Sequence, residues 1–329
     1  MSVQGKRALV TGSSGFVAAN LIPALLAQGA EVHGIVRPGS QSWRLREWLA
    51  TEGSNMHIHE VDLVQTEAVD HIMRTVRPDF IFHLAVQRKS ATRQERAETL
   101  YVNVIGTWNM LESAAEIGCE RFIYTGSSLE YGPKPAPSHE SDLLKPSSYF
   151  GATKAAASTL CQQAALAGRC PVVLLRLYSV YGPWEAPHRL IPTALMAALG
   201  DGHISLTEPG YRRDLIFVED VVEACLQAAQ IDRAVGEIIN IGSGQQWANE
   251  EIVTMIEAIT GRKLNVRMGT YPPRQTDTSF WVADISKSRD LLNWEPRHTL
   301  EKGLCKMLDW LIPRQTIYAE LMNTAQVRA

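Results

Sequence analysis

The chain has 329 residues, of which 45% are hydrophobic and 20% are charged, a composition typical of a globular protein. Its formal net charge of -3 argues against nucleic acid as the main partner. The five cysteines form no C-x-x-C pair, which favours reduced, buried thiols over a metal site or a disulfide framework. The length fits one large domain or two coupled ones.

The N-terminal segment leads directly into a strand-like run and contains no apolar signal core followed by a cleavage site. No stretch reaches the roughly 18 apolar residues that a membrane-spanning helix needs. We therefore expect a soluble cytoplasmic protein that has no membrane partner and no resident metal ion.

Short apolar runs alternate with amphipathic segments through the first half of the chain. The apolar runs predict strands at residues 7–11, 31–36, 56–61, 79–84, 121–125 and 172–177. The segments between them predict helices at residues 16–28, 67–76, 96–117 and 150–167. This alternation, with right-handed crossovers, predicts an α/β fold: a doubly wound, Rossmann-type parallel sheet covered by helices on both faces.

The pattern loosens after about Tyr178, where prolines become frequent. A helix at 220–230 and a strand at 237–241 follow, and further helices are expected near 249–260, 287–292 and 300–311. We assign residues 1–177, with roughly 214–241, to a dinucleotide-binding domain. Residues 178–213 and 242–329 form a smaller substrate-binding domain that caps the carboxyl ends of the strands, where such folds bind ligands.

The first predicted strand runs directly into a glycine turn, Gly12-x-x-Gly15-x-x-Ala18. Glycine permits a tight turn and a close approach of the backbone to a pyrophosphate, and the N–H groups of the following helix point at that anion. A nicotinamide dinucleotide is favoured here over a plain strand-to-helix turn. The predicted cradle comprises Gly12, Ser14, Gly15, Phe16 and Val17.

The end of the second strand distinguishes NADP from NAD. Arg37 stands 22 positions after Gly15, about where NAD enzymes carry an acidic residue for the ribose hydroxyls. A guanidinium there can pair with a 2′-phosphate, so we expect NADP, with NAD possible; a surface arginine without a partner is the alternative. Further predicted cofactor contacts follow the third and fourth strands: Asp62, Leu63, Leu84 and Ala85.

Eight motifs, in this order and spacing, resemble the extended short-chain dehydrogenase/reductase family, in its branch of nucleotide-sugar epimerases, dehydratases and reductases. They are TGSSGFVAANL (11–21), FHLAV (82–86), NVIGTWNMLESA (103–114), YTGSSLEYG (124–132), FGATKAA (150–156), LRLYSVYGP (175–183), RRDLIFVEDVVEA (212–224) and DISKSRDLLNWEP (284–296). Residues 31–40 and the C-terminal half are most similar to GDP-mannose 4,6-dehydratases and related GDP-sugar reductases. The resemblance implies a nucleoside-diphosphate sugar as substrate. It also implies a homodimer through helices 96–117 and 150–167, although burial of their apolar faces within a monomer is an alternative.

The resemblance also implies catalytic roles. Ser127 matches the residue that hydrogen-bonds the reacting sugar oxygen, and Ser128 stands beside it. Lys154 matches the lysine that holds the nicotinamide ribose and lowers the pKa of a catalytic tyrosine. The resulting phenolate takes a hydroxyl proton as hydride leaves for the nicotinamide.

The catalytic tyrosine itself is missing from this motif, because position 150 is Phe150. Tyr149 stands one residue earlier, about 100° away around a helix. Three interpretations remain open. Tyr149 supplies the hydroxyl after a local shift; Ser127 with water, or Lys154, handles the proton; or the protein binds its ligands with little or no catalysis.

A second departure concerns dehydration. The dehydratases carry an acidic residue two positions before the tyrosine of YTGSSLEYG, and here that position is Leu129. Glu130 follows, either as a displaced catalytic acid or as a structural carboxylate, and one residue along a strand means the opposite face. We therefore expect an NAD(P)-dependent epimerase or keto-sugar reductase rather than a 4,6-dehydratase.

Two arginines match substrate contacts of the family. Arg213 is implied to bind the diphosphate, and Arg274 matches a second arginine near the diphosphate or nucleoside; together they can clamp a pyrophosphate. Ser179 replaces the usual asparagine of the YSVYGP motif. Arg88, on the loop after the fourth strand, adds positive potential near the phosphates or is a solvated loop charge.

Overall fold

The computed structural model describes residues 2–40, 43–44 and 56–326. Strands and helices alternate through the first half of the chain. The elements are β1 (Arg7–Thr11), α1 (Phe16–Ala27), β2 (Glu31–Val36), β3 (Met56–Glu60), α2 (Thr66–Val76), β4 (Phe80–His83), α3 (Arg93–Leu100), α4 (Gly106–Ile117), β5 (Arg121–Ser127), α5 (Tyr149–Leu166) and β6 (Val172–Leu177).

The second half contains shorter strands and several helices. These are β7 (Ser179–Tyr181), α6 (Leu190–Leu199), β8 (His203–Ser205), β9 (Arg212–Phe217), α7 (Val218–Gln230), β10 (Ile238–Ile241), β11 (Gln246–Ala248), α8 (Asn249–Thr260), β12 (Asn265–Arg267), α9 (Ser286–Leu292), α10 (Leu300–Leu311) and α11 (Gln315–Gln326).

Seven strands form one parallel sheet in the order β10-β6-β5-β4-β1-β2-β3. Apolar side chains of α1 and α7 pack on one face, and those of α2, α4 and α5 pack on the other. Near-continuous apolar strands such as Phe80–His83 are buried on both faces by this arrangement. The predicted doubly wound, Rossmann-type fold is confirmed.

Residues 96–117 do not form the single regular helix that we predicted. A π-helical stretch, Tyr101–Ile105, separates α3 from α4, so one extra residue is accommodated within a continuous helical path. Helix α6 was not predicted, because Pro192 suggested a loop. Pro192 is the third residue of the helix, where its missing N–H has no intrahelical acceptor to lose.

Two small sheets lie in the second half, with orders β11-β9-β7 and β12-β8. A third core, centred on Ile191, Phe217, Ile252, Leu304 and Met307, packs these strands against α6, α8 and α10. Strand β7 begins two residues after β6 ends, so the small β11-β9-β7 sheet starts at the carboxyl edge of the large one. Within the described ranges, no helix is both long and apolar enough to cross a membrane.

Candidate active site

A cleft of about 510 Å³ opens at the carboxyl ends of β1, β4, β5 and β6. One wall comes from the loops of the large sheet, including Gly12, Leu84 and Ser127. The other wall comes from later segments, including Arg189 and Arg274. A ligand in this cleft would therefore contact both halves of the chain.

The glycine turn forms one end of the cleft. Gly12 has a φ of +68°, and a Cβ on it would lie 2.8 Å from the Ala85 Cα. Helix α1 begins after Gly15 without a side-chain cap, so its first N–H groups remain available to an anion. Backbone, rather than side chains, would thus contact a dinucleotide pyrophosphate here, and the turn fits that group.

Some of the other predicted cofactor residues near this turn line the cleft, and others do not. Phe16, Val17 and Leu84 line it together with both glycines, whereas Ser14 and Ala85 do not. The Ala85 N–H donates to Thr11 Oγ1 at 3.1 Å, which fixes the β4 loop against the turn.

Three further cofactor candidates lie outside the cleft lining, at the carboxyl ends of β2 and β3. Arg37 is exposed immediately after β2. Asp62 Oδ1 accepts the Val64 N–H at 3.1 Å, and Leu63 is buried. This edge of the sheet is where a bound dinucleotide places its adenosine ribose in Rossmann-type folds.

Ser127 and Ser128 both line the cleft at the end of β5. Ser127 is half-buried, and its Oγ accepts the Leu129 N–H at 3.3 Å. Ser128 is buried, and its Oγ accepts the Trp281 indole N–H at 3.0 Å. Trp281 also lies under Arg213, with 5.5 Å between the guanidinium carbon and the ring centre, so it connects the two walls of the cleft.

Lys154 projects from α5 into the cleft although its side chain is buried. Its Nζ lies 4.2 Å from the centre of the Tyr124 ring. Burial lowers the pKa of Lys154 to about 8, and the charge of Arg88 acts in the same direction, whereas Glu130 and Cys161 oppose it. The ammonium therefore releases its proton more readily than an exposed lysine would, and a neutral amine is accessible near physiological pH.

Phe150 lines the cleft one helical turn before Lys154. The Arg88 guanidinium carbon lies 4.5 Å from the centre of its ring. Arg88 is in contact with solvent inside the cleft. Partial burial between the cleft walls is the main effect that lowers the pKa of Arg88 to about 10, and the charges of Arg189 and Arg274 lower it further. Arg88 thus remains a cation at neutral pH and covers the position where the family carries its hydroxyl.

Tyr149 is the first residue of α5 and is 36% exposed, and it is not among the residues that line the cleft. A close approach holds this end of the helix in place, because a Cβ on Gly151 would lie 2.5 Å from the Leu129 carbonyl oxygen. The geometry therefore gives no support to the interpretation that Tyr149 supplies the missing hydroxyl.

Glu130 is fully buried and is held from two directions. Its Oε1 accepts the Ser127 N–H at 2.7 Å, and its Oε2 lies 2.8 Å from Arg176 Nε in a buried ion pair. It is not among the residues that line the cleft, whereas the apolar Leu129 is. Glu130 thus fixes the backbone of Ser127, and this contact favours the structural role over the catalytic one.

Arginines from separate segments converge on the substrate wall. Arg213 donates to Asp277 Oδ1 at 2.6 Å and to the Thr276 carbonyl at 2.8 Å, which orients it beside Arg274. Arg44 and Arg189, which sequence reasoning missed, line the same wall, as does Ser179. Arg189 lies only ten residues after Ser179, but nothing in its local sequence distinguishes it from a solvated charge.

Glu185 is a third residue of the cleft that sequence reasoning missed. Glu185 is buried behind the arginines of the substrate wall. Its Oε1 lies 3.4 Å from Arg189 Nε, and its Oε2 has no hydrogen-bond partner among the described residues. Burial raises the pKa of Glu185 to about 7, against the opposing effect of Arg189. A buried carboxylate oxygen without a donor is costly, and a ligand that supplies one would remove that cost.

The family model described as the NAD dependent epimerase/dehydratase family matches residues 8–242. The chain belongs to this family. A UDP-glucuronate 4-epimerase of Thermodesulfobacterium geofontis is 28% identical over 92% of this chain and 95% of its own. A dTDP-glucose 4,6-dehydratase of Xanthomonas campestris pv. campestris is 25% identical over 94% of this chain and 93% of its own.

Solved structures agree with this assignment. The UDP-glucuronic acid 4-epimerase of Bacillus cereus, in complex with UDP-glucuronic acid and NAD, superposes with a TM-score of 0.84 at 26% identity, covering 94% of this chain and 99% of that one. As a member of the NAD dependent epimerase/dehydratase family, the protein is an enzyme that uses a nicotinamide dinucleotide. The comparisons give no support to the interpretation that the protein binds its ligands with little or no catalysis.

Proposed function

We propose that the protein is an epimerase or keto-sugar reductase that acts on a nucleoside-diphosphate sugar, with Lys154 in place of tyrosine as the group that moves the proton. The nicotinamide, when bound, accepts and returns a hydride. The observation that carries the proposal is the pairing of a backbone cradle at Gly12 and Gly15 with a wall of converging arginines in one cleft. Arg213 and Arg274 would supply donors for a diphosphate, and we keep the two predicted domains as the proposed dinucleotide and nucleotide-sugar regions.

The proton assignment rests on what remains near Phe150. Ser127 would donate a hydrogen bond to the reacting sugar oxygen, as the family resemblance implies. The neutral amine of Lys154 would take the hydroxyl proton of the sugar, forming an ammonium that returns it after hydride is given back. The pKa of Lys154, about 8, places this exchange close to neutral pH. Arg88 would stabilise negative charge that develops on the same oxygen.

A dehydratase is less well supported by the site, although several relatives, among them the Xanthomonas protein, carry that name. Elimination of water needs an acid beside the departing hydroxyl. Leu129 offers none, and Glu130 is committed to Arg176 and the Ser127 backbone. A likeness to GDP-mannose enzymes stays a prediction, since the relatives named above are UDP- and dTDP-sugar enzymes.

For the cofactor we propose a preference for NADP over NAD, carried by Arg37. Its side chain has no ion-pair partner among the described residues, and it follows β2 at the edge where the ribose is read. Arg37→Asp should weaken NADP binding about 10- to 100-fold while leaving NAD binding nearly unchanged. Equal effects on the two Kd values, measured by titration, would remove this assignment.

We also propose a homodimer through α3, α4 and α5. Leu100, Tyr101, Trp108 and Leu166 expose large apolar surface on these helices, which is unusual for a monomer. Sedimentation of the wild-type chain should give twice the monomer mass. Trp108→Glu should shift that mass toward the monomer; a wild-type monomer would contradict the proposal.

A panel of UDP-, dTDP- and GDP-sugars tests the enzymatic proposal. Each sugar is incubated with the enzyme and with NAD or NADP, and products are followed by NMR while reduced cofactor is followed by absorbance. We expect one sugar class to give an epimer without net cofactor change, or a 4-keto sugar to be reduced. Tight binding of a sugar with no exchange of hydride would contradict the proposal, and formation of a 4-keto-6-deoxy sugar would show a dehydratase.

A further inference from the structure

A cluster of histidines lies on β2 and the edge strand β3, two strands that contribute no residue to the lining of the cleft. Glu31 and His33 alternate along β2, and His57 and His59 alternate along β3. The register pairs His33 directly with His57. Alternate residues of a strand share a face, so all four side chains project from the same side of the sheet.

The potential ligand atoms of three of these residues converge. Glu31 Oε1 lies 3.1 Å from His33 Nε2 and 3.8 Å from His57 Nε2, and the three ligand atoms all lie within 4.8 Å of one another. His33 is buried, whereas the side chains of Glu31 and His57 are both more than half exposed. The cluster is therefore anchored on one side and open to solvent on the other.

The fourth residue supports the ring of His33 from behind. His33 Nδ1 and His59 Nε2 are 3.0 Å apart, so one ring donates to the other. Histidines that bind metals generally use one ring nitrogen for the ion and the other for such a hydrogen bond, which fixes tautomer and orientation. Because the Glu31 carboxylate can only accept, His33 Nε2 donates to it here at 3.1 Å. A bound cation would replace that proton; His33 would then donate through Nδ1 to His59, and its Nε2 lone pair would bind the ion.

The charges around the cluster favour a cation. Burial lowers the pKa of His33, which the neighbouring Glu31 opposes, and burial likewise lowers the pKa of His59. Arg7 on β1, whose charge acts on His33, donates to the Val76 carbonyl at 2.7 Å and lies 4.0 Å from Asp79, so its charge is partly balanced there.

We propose that Glu31, His33 and His57 bind one Zn²⁺ ion that links β2 to the edge strand β3, with solvent as the fourth ligand. Two imidazoles and a carboxylate are a ligand set that zinc accepts, at about 2.0–2.2 Å from each atom. Tetrahedral ligand atoms at that distance are roughly 3.4 Å apart. The exposed His57 must therefore rotate inward, while Glu31 and His33 already have the required separation.

Such an ion would be structural, because none of its three ligands is among the residues that line the cleft. An edge strand is held by one neighbour only, and a cross-strand ion adds a second connection. Local sequence cannot reveal this site, because only the β2–β3 register brings Glu31-x-His33 beside His57-x-His59.

Zinc titration of the full chain by calorimetry tests the site, with Mg²⁺ as a control for ions that prefer oxygen ligands. The wild type should bind one Zn²⁺ per chain, and zinc should raise its Tm. His57→Asn, at an exposed position, should abolish this Tm shift and weaken binding at least about 10-fold. His71→Asn, which changes an exposed histidine of α2 outside the cluster, is the matched control and should bind zinc as the wild type does.

A second variant, His59→Gln, removes the supporting ring without removing a ligand and should weaken zinc about 10- to 100-fold. The proposal is overturned if the wild type binds no zinc at micromolar concentrations. It is equally overturned if His57→Asn binds zinc as tightly as the wild type, since the ion would then be held by other surface groups. Neither outcome would bear on the enzymatic proposal, because turnover is measured without added zinc.

Discussion

The two walls of the cleft present different groups to a ligand. One wall presents backbone atoms of one continuous segment, from Thr11 to Val17, packed against the loop after β4. The other wall presents long charged side chains from separate segments, including Arg189, Arg213 and Arg274, above the buried carboxylate of Glu185. In the proposal these are the cofactor half and the substrate half: the first is shaped by close backbone contacts, whereas the second holds cations close together and would gain most from an anion.

In the proposal Lys154 serves both halves, because it holds the nicotinamide ribose and moves the sugar proton. Its replacement should therefore have the largest effect on kcat. Lys154→Arg keeps a cation for the nicotinamide ribose but removes a group that can titrate near neutral pH. We expect kcat to fall by roughly 10²- to 10⁴-fold, the range of general acid–base catalysis, while the cofactor Kd changes far less. Steady-state kinetics and cofactor titration measure the two separately; a kcat within about threefold of the wild type would show that the lysine moves no proton.

Gly12→Ala tests how rigid the cofactor half is. The new methyl would lie 2.8 Å from the Ala85 backbone at a φ of +68°, so either the turn or the β4 loop must move. We expect cofactor binding to weaken on the order of 10²-fold, since about 1–3 kcal/mol of backbone strain is added to the lost fit. Gly39 has a similar φ of +70° with open space around it. Gly39→Ala therefore adds backbone strain without a steric clash, and it serves as the control for the clash at Gly12. Equal losses in the two variants would argue against a preformed cradle.

Glu185→Gln tests whether the ionised Glu185 carboxylate lowers the free energy of unfolding when no ligand is bound. The folded pKa of about 7 lies above the ordinary value of 4.5, so the carboxylate costs nothing below pH 4.5 and its cost grows as pH rises to 7. The variant should therefore raise the free energy of unfolding above pH 7 by at most about 3 kcal/mol. Denaturant unfolding at pH 5 and pH 8 measures this, and an equal change at both values would exclude ionisation as the cause.

Phe150→Tyr should have the smallest effect, because Arg88 already occupies the face of that ring and Lys154 is taken to move the proton. We expect kcat to change less than about 10-fold, whereas a dedicated phenol contributes 10²- to 10⁴-fold. A rise into that higher range would mean that the missing hydroxyl limits the wild-type rate. Phe150→Leu, which removes the ring without adding a hydroxyl, is the control for packing.

The contrast between the two halves also explains what sequence could predict. Gly12, Gly15 and Phe16 follow a strand within a few residues, so one local pattern predicted that they share a site, and the parallel sheet followed from strand–helix alternation. Glu185 and Arg189 are only four residues apart, but Arg44 joins them only through tertiary structure, and each of the three alone is an ordinary charge. The π-helical stretch at Tyr101–Ile105 was likewise missed, because such turns are rare and residues 96–117 resemble one amphipathic helix in sequence.

Glu130 is a residue that the sequence did single out but whose role the sequence left open. Its position beside Leu129 suggested either a shifted catalytic acid or a structural carboxylate, and local sequence offers no means to choose. Arg176, 46 residues later on the neighbouring strand, forms a buried pair with Glu130, which favours the structural role. This contact comes from a distant segment, so the local sequence could not have indicated it.

The pH dependence of kcat/KM tests the central claim, the role of Lys154, most directly. Because the amine must be neutral to accept the sugar hydroxyl proton, log kcat/KM in the oxidising direction should rise with a slope of one and level off near pH 8. This rise should be absent from the residual activity of Lys154→Arg. A profile that is flat from pH 6 to 9, or a rise that persists in the arginine variant, would contradict the account.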